Sequence, residues 1–251
     1  MAIRKAKNEL TARSGAELDQ NQAMRELLAA RLPDLGDKWD IHLPTFLTAP
    51  ALARLLWLDS VYRQIVDVPG AIVEFGSQWG ASLNALAMLR MIHEPWNAGR
   101  HIASFSTFED GFVGASRNDG RLAKSGDYAT KRKWRGDLQT LLDSHTARSP
   151  VPARVEIVDG DVRKTFAKWL DASPHVVIAL AHFDMDIYAP TRDALALCLK
   201  RMPKGGVLVF DELNCPPFPG ETKAVDEVLG IAKMKLRKSP YQPYSAYCVI
   251  E

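Results

Sequence analysis

The chain has 251 residues, 47% of them hydrophobic and 25% charged, and its 32 Lys and Arg against 30 Asp and Glu leave a formal charge of only +2. That length suits one large core with an elaboration, and so even a balance excludes wholesale nucleic-acid binding. Three cysteines, Cys198, Cys215 and Cys248, lie too far apart for a zinc knuckle or a disulfide framework. No run of about 18 apolar residues exists, and the start MAIRKAKNELTARSG is basic without reaching an apolar core. Together these features predict a cytoplasmic protein with no membrane partner.

From Ser14 to Leu32, Leu18, Met24, Leu27 and Leu28 fall near helical spacing, with Ser14 as cap and Pro33 as stop. A second helix follows from Ala49 to Val66, carrying Leu52, Leu55, Leu56, Leu58, Val61, Tyr62 and Ile65. Between them residues 33–50, with Pro33, Pro44 and Pro50, predict a loop. Residues 1–68 thus form an N-terminal helical extension for covering a substrate or for self-association. Trp39, Phe46 and Trp57 offer a homo-oligomer such a surface.

Beyond Pro69-Gly70, AIVEFG is a β-branched apolar run ending in glycine, and WGASLNALAMLRMIH then has helical periodicity. HIASFSTF, RVEIVDG, HVVIALAHFD and GGVLVFDE repeat the strand pattern, separated by helix-compatible sequence. Such alternation predicts a doubly wound α/β domain over 69–251, with a mostly parallel sheet covered on both faces. The tail, KMKLRKS and SAYCVIE joined by PYQPY, predicts an antiparallel hairpin.

Three strand tips carry the candidate chemistry. The first is VEFGSQWGAS, with Glu74, Gly76, Ser77, Gly80 and Ser82 at a strand-to-helix turn, where glycines admit a ligand and a helix N-terminus offers N–H groups. Its GxxxG spacing is not the GxGxxG of a dinucleotide fold. The other two are HFDMDIYAPTRDAL and GGVLVFDELN, which end in Asp184 with Asp186 and in Asp211 with Glu212. Ligands of open α/β sheets gather at that edge. Converging carboxylates there must raise a pKa, recruit a base or bind a cation, and oxygen-only ligands suit Mg²⁺ or a similar ion. The bland alternative is that one acid of each pair caps the next helix.

With D-x-D-x-Y-x-x-T from Asp184 to Thr191 and G-G-x-x-x-x-D-E from Gly205 to Glu212, followed by PGETKAVDEVL, the chain resembles the macrocin O-methyltransferase (TylF-like) family. The likeness runs from about Ala71 to Gly230. It implies a seven-stranded Rossmann-like methyltransferase sheet, S-adenosylmethionine as cofactor, and Mg²⁺-dependent methylation of a hydroxyl on a sugar or secondary metabolite. Glu74, Gly76 and Gly80, with Ser77 and Ser82, match the cofactor loop; Gly160 and Asp161 match the turn bordering the adenine. Asp184, Asp211 and Glu212 match the metal ligands. One position departs from the family: Ser106 stands where an acid usually grips the ribose, so either Glu109 or Asp110 substitutes by a small loop shift or Ser106 itself binds the cofactor by accepting one hydrogen bond.

On this reading Asp184 and His182 serve catalysis, with Asp186 and His145 as further candidate bases, and His182 open to pointing away from the ligands. Residues 117–135 contain seven Lys or Arg against two Asp, so an insertion at about 112–136 reads as a basic lid over an anionic acceptor, or as plain solvated surface. Two rival readings are a nicotinamide-dependent oxidoreductase, which should carry GxGxxG, and a non-catalytic partner subunit keeping the fold without turnover.

Overall fold

In the computed structural model, which describes the backbone of residues 4–6 and 9–11 and every residue from 13 to 251, the chain divides into two units, 1–54 and 55–251. The side chains of the basic start, residues 1–12, lie outside the described ones.

In the first unit, short strands β1 (Arg4–Ala6) and β2 (Glu9–Thr11) pair antiparallel. Helix α1 (Gly15–Arg31) begins where Ser14 and Glu17 close a capping box, each side chain taking the other's backbone N–H, at 3.2 and 2.6 Å. The loop expected over 33–50 is instead a chain of short helical turns: 3-10 at Leu32–Lys38, α2 (Trp39–His42) and 3-10 at Leu43–Phe46. Pro33 and Pro44 sit in the opening positions of their turns, where a fixed φ and a missing N–H cost nothing. Helix α3 (Ala49–Tyr62) continues into the second unit and ends in a 3-10 turn, Arg63–Ile65. Its second half is core: Trp57 is 1% exposed, with its ring against Tyr247, which corrects the expectation that Trp57 is a self-association surface.

The second unit is built on a seven-stranded sheet. In chain order its elements are β3 (Ala71–Phe75), α4 (Ala81–His93), β4 (Ile102–Ser106), α5 (Trp134–Thr146), β5 (Val155–Asp159), α6 (Val162–Ala172), β6 (Ile178–Phe183), α7 (Tyr188–Cys198), β7 (Val207–Phe210), α8 (Pro219–Leu229), β8 (Arg237–Lys238) and β9 (Ala246–Val249). The spatial order is β5-β4-β3-β6-β7-β9-β8. All neighbours are parallel as far as β7, and β9 then pairs antiparallel with both β7 and β8. The expected doubly wound sheet with a closing hairpin is what forms.

Side chains alternate between faces along each strand, so the sheet carries two cores. One holds Phe75, Phe105, Phe166, Phe183 and Phe210; the other holds Ile72, Leu83, Leu86, Leu138 and Leu180 with Trp57. Phe105, Phe75, Phe183 and Phe210 occupy one register row across four strands, with successive ring centroids 5.4, 5.0 and 5.4 Å apart. Burying each ring contributes about 1.5–3 kcal/mol. The row makes a rigid floor under the carboxyl ends of the strands.

Candidate active site

Beyond their last strand residues the chains remain tied. Gly76 N–H donates to Phe105 O (2.8 Å), Asp184 N–H to Phe75 O (2.9 Å), Asp211 N–H to Phe183 O (3.1 Å) and Gly160 N–H to Ser106 O (2.9 Å). These bonds put the Gly76 turn beside Asp184, and Asp184 beside Asp211. The strand order reverses between β3 and β6, which is where open α/β sheets form their ligand crevice.

Gly76 has φ +96°, and a Cβ there would lie 1.9 Å from Asp184 O, so only glycine lets the two tips touch. Gly80, at φ +80°, caps α4, and a Cβ would strike Leu138. Ser77 Oγ is buried without a hydrogen-bond partner among the described residues, and Ser82 is buried in the first turn of α4. A glycine-lined turn with an unmet buried hydroxyl at a helix start fits a polar cofactor end. Across the switch point, Ser106 is 8% exposed at the end of β4. Glu109 and Asp110 are exposed in the following turn, with Glu109 accepting Lys133 N–H at 3.0 Å. Asp161 caps α6, and its carboxylate is also held by the Arg163 guanidinium at 2.6–3.0 Å.

The acids converge. Ligand atoms of Asp184, Asp211 and His182 lie within 4.8 Å of one another, and so do those of Asp184, Asp186 and Glu212. Asp184 is common to both groups, so the three acids read from the sequence meet through it, joined by Asp186, which adopts φ +63°. Neither pair stands at a helix N-cap, which is Ile187 for α7 and Phe218 for α8, both without a side-chain cap bond. Instead Asp119, fully buried, takes Tyr188 N–H at 2.5 Å from across the chain.

A fifth acid, unassigned in the sequence, is Glu221 in the first turn of α8, 0% exposed. Its Oε1 accepts Glu212 N–H at 2.9 Å, and the Oε2 atoms of Glu221 and Glu212 are both buried without a hydrogen-bond partner among the described residues. Burial pushes both carboxyls well above the usual range. The charges of Asp184, Asp186 and Asp211 add to the rise for each, although the Glu212 N–H opposes it at Glu221. In PGETKAVDEVL this glutamate looks like an ordinary acid at a helix start, and no signal in the sequence says that α8 turns it inward.

His182 does not point away from the ligands. It shares a register row with Glu74 and Ser104 on the face opposite the phenylalanines. Ser104 Oγ donates to Glu74 Oε2 (2.8 Å), Glu74 Oε1 lies 3.7 Å from His182 Nδ1, and His182 Nε2 lies 3.4 Å from Asp211 Oδ1. Ser245 Oγ, just before β9, adds 3.3 Å to the same Asp211 oxygen. A buried polar line therefore runs beneath the crevice from β4 to the hairpin. His145, by contrast, lies in the last turn of α5, outside the carboxylate groups.

The segment between β4 and α5 is anchored at Asp119, which also takes Ser116 N–H (2.6 Å), while Lys223 Nζ donates to Asn118 O (3.0 Å). Its cations Arg117, Arg121, Lys124, Lys131, Arg132 and Lys133 are exposed.

With the crevice in place, comparison with known proteins is informative. Residues 73–213 match the family described as a methyltransferase domain. The crystal structure of CalS11, a calicheamicin methyltransferase, is 36% identical over 95% of this chain and 94% of its own, with a TM-score of 0.89. The apo structure of CalS11, described as a TDP-rhamnose 3'-O-methyltransferase of calicheamicin biosynthesis, is 33% identical over 95% and 96%, with a TM-score of 0.82. The O-methyltransferase NovP, 18% identical over 79% of each chain with a TM-score of 0.60, shares the fold. No curated protein sequence matches significantly. The chain belongs to the S-adenosylmethionine-dependent class I O-methyltransferases of the macrocin O-methyltransferase kind. It is an enzyme acting on a small-molecule acceptor, and the oxidoreductase and non-catalytic readings fall away. Among the described residues no single helix is long and apolar enough to cross a membrane.

Proposed function

We propose that this enzyme methylates a hydroxyl of a sugar carried on a small molecule, with a divalent cation, Mg²⁺ or a close substitute, held by Asp184, Asp211 and Glu212. The observation that carries the reading is the convergence of acids from two adjacent strand tips beside the Gly76 turn, with buried Glu212 Oε2 left without a hydrogen-bond partner among the described residues. The relative described as a TDP-rhamnose 3'-O-methyltransferase supports a nucleotide-linked sugar as the acceptor class.

The donor sulfonium supplies an already activated methyl group, and a cation at the carboxylates would supply polarisation of the acceptor hydroxyl. The chain's own residues do the rest. Gly76, Ser77, Gly80 and Ser82, with Glu74 beneath them, seat the methionine end of the donor; Ser106, Gly160 and Asp161 border its nucleoside end. Asp184 takes the hydroxyl proton at its carboxylate, since it belongs to both ligand groups and is only half-buried. His182, wholly buried, acts through Asp211 by holding that carboxylate in place.

Two further assignments complete the reading. The exposed cations of residues 112–136 form a lid over the acceptor's phosphates. The N-terminal helical extension, which exposes Trp39 at 48% and Ile41 at 68%, serves acceptor cover and self-association. The test is methyl transfer from labelled S-adenosylmethionine to sugar nucleotides, with and without chelator. A rate loss of about 100-fold or more on metal removal is expected, corresponding to a few kcal/mol; an unchanged rate ends the cation role.

A further inference from the structure

Glu221 stands three residues into α8 with no solvent contact. Its Oε1 meets a need, the N–H of Glu212 at 2.9 Å, whereas its Oε2 meets none among the described residues. A buried carboxylate oxygen without a donor costs folding free energy. A glutamine would accept the same N–H without the charge. An acid where an amide would suffice calls for something positive in the space that it faces.

Building on the cation reading above, we propose that Glu221 is a positioning residue of the cation site: one oxygen fixes Glu212 against the site, and the other adds negative charge behind it. The apo enzyme is then destabilised by Glu221, and the loaded enzyme is not. A purely structural glutamate reverses the first statement and has no bearing on the second.

The experiment uses the full chain, without donor or acceptor, and Mn²⁺ as probe, reading thermal midpoints and Mn²⁺ binding by electron paramagnetic resonance. Mn²⁺ should raise the wild-type midpoint. Glu221→Gln should raise the apo midpoint by about 2–4 °C and weaken Mn²⁺ binding by about 10–100-fold. Glu221→Ala, which also strips the acceptor from Glu212 N–H, should fall below Glu221→Gln in apo midpoint. An apo midpoint for Glu221→Gln that is unchanged, lowered or lost through misfolding overturns the proposal, as does unaltered Mn²⁺ affinity. Wild-type enzyme that binds no Mn²⁺ overturns the cation reading itself, and that arm is scored before any variant.

Discussion

At the amino ends of the strands, Arg100 is 2% exposed and donates to Gly70 O, Ile65 O, Val68 O and both oxygens of Glu94 at 2.6–3.0 Å. Tyr62 Oη and Asn97 Nδ2 complete the Glu94 carboxylate at 2.6 and 2.7 Å. At the carboxyl ends, Glu221 is fully buried and Glu212 half-buried, yet among the described residues each keeps a buried oxygen with no hydrogen-bond donor. Burial raises the Glu221 carboxyl. Burial also acts upward on Glu94, but the bonds from Arg100, Tyr62 and Asn97 and the Arg100 charge outweigh it and hold that carboxyl below the usual range. One sheet thus has a charge-balanced end that serves the fold and an opposite end where acids gather.

The contrast can be broken from either side. The largest effect should come from Asp184→Asn, which keeps the shape of the crevice: methyl transfer should fall by about 10²–10⁴-fold while the circular dichroism spectrum stays unchanged. At the opposite end Arg100→Met should leave Glu94 buried and unpaired and cost about 3–5 kcal/mol in urea unfolding. The pair Arg100→Met with Glu94→Gln should recover much of that loss; if it does not, the network is not the balanced unit described.

Acid titration of stability sharpens the comparison. Because the folded Glu94 carboxyl titrates below its ordinary value of 4.5, its contribution is fully present above that pH and is lost as pH falls through the lower, folded value. Glu94→Gln should flatten this acid limb in unfolding measured as a function of pH, and an unchanged limb would assign it elsewhere. The smallest effect concerns charges outside both ends. Neutralising Lys131, Arg132 and Lys133 together should raise KM for a phosphate-bearing acceptor about tenfold at low salt and less at high salt, with stability altered by no more than about 0.5 kcal/mol.

Most of the fold was legible because its signals are local. AIVEF and HVVIALAHF are apolar enough to demand burial on both faces, Ser14 announces a capped helix, and the tail reads as a hairpin. The polar residues inside those strands were harder to read. Glu74 and His182 interrupt apolar runs, and only the parallel register of β3 and β6 shows that they lie in one row leading to Asp211. Trp57 was grouped with Trp39 and Phe46 as surface, yet the sheet and Tyr247 cover it. Asp119 had no local sign of its task, since its partner Tyr188 is 69 residues away.

By itself the sequence determined which segments become strands and helices, and it placed acids at the ends of two of them, because hydrophobic periodicity and turn chemistry act over a few residues. Tertiary structure alone decided that β6 lies between β3 and β7, bringing Asp184 to both Gly76 and Asp211, and that α8 turns Glu221 inward beneath Glu212. Strand order and helix docking are settled by burying whole faces against one another, and that free energy is spread over residues far apart in the chain.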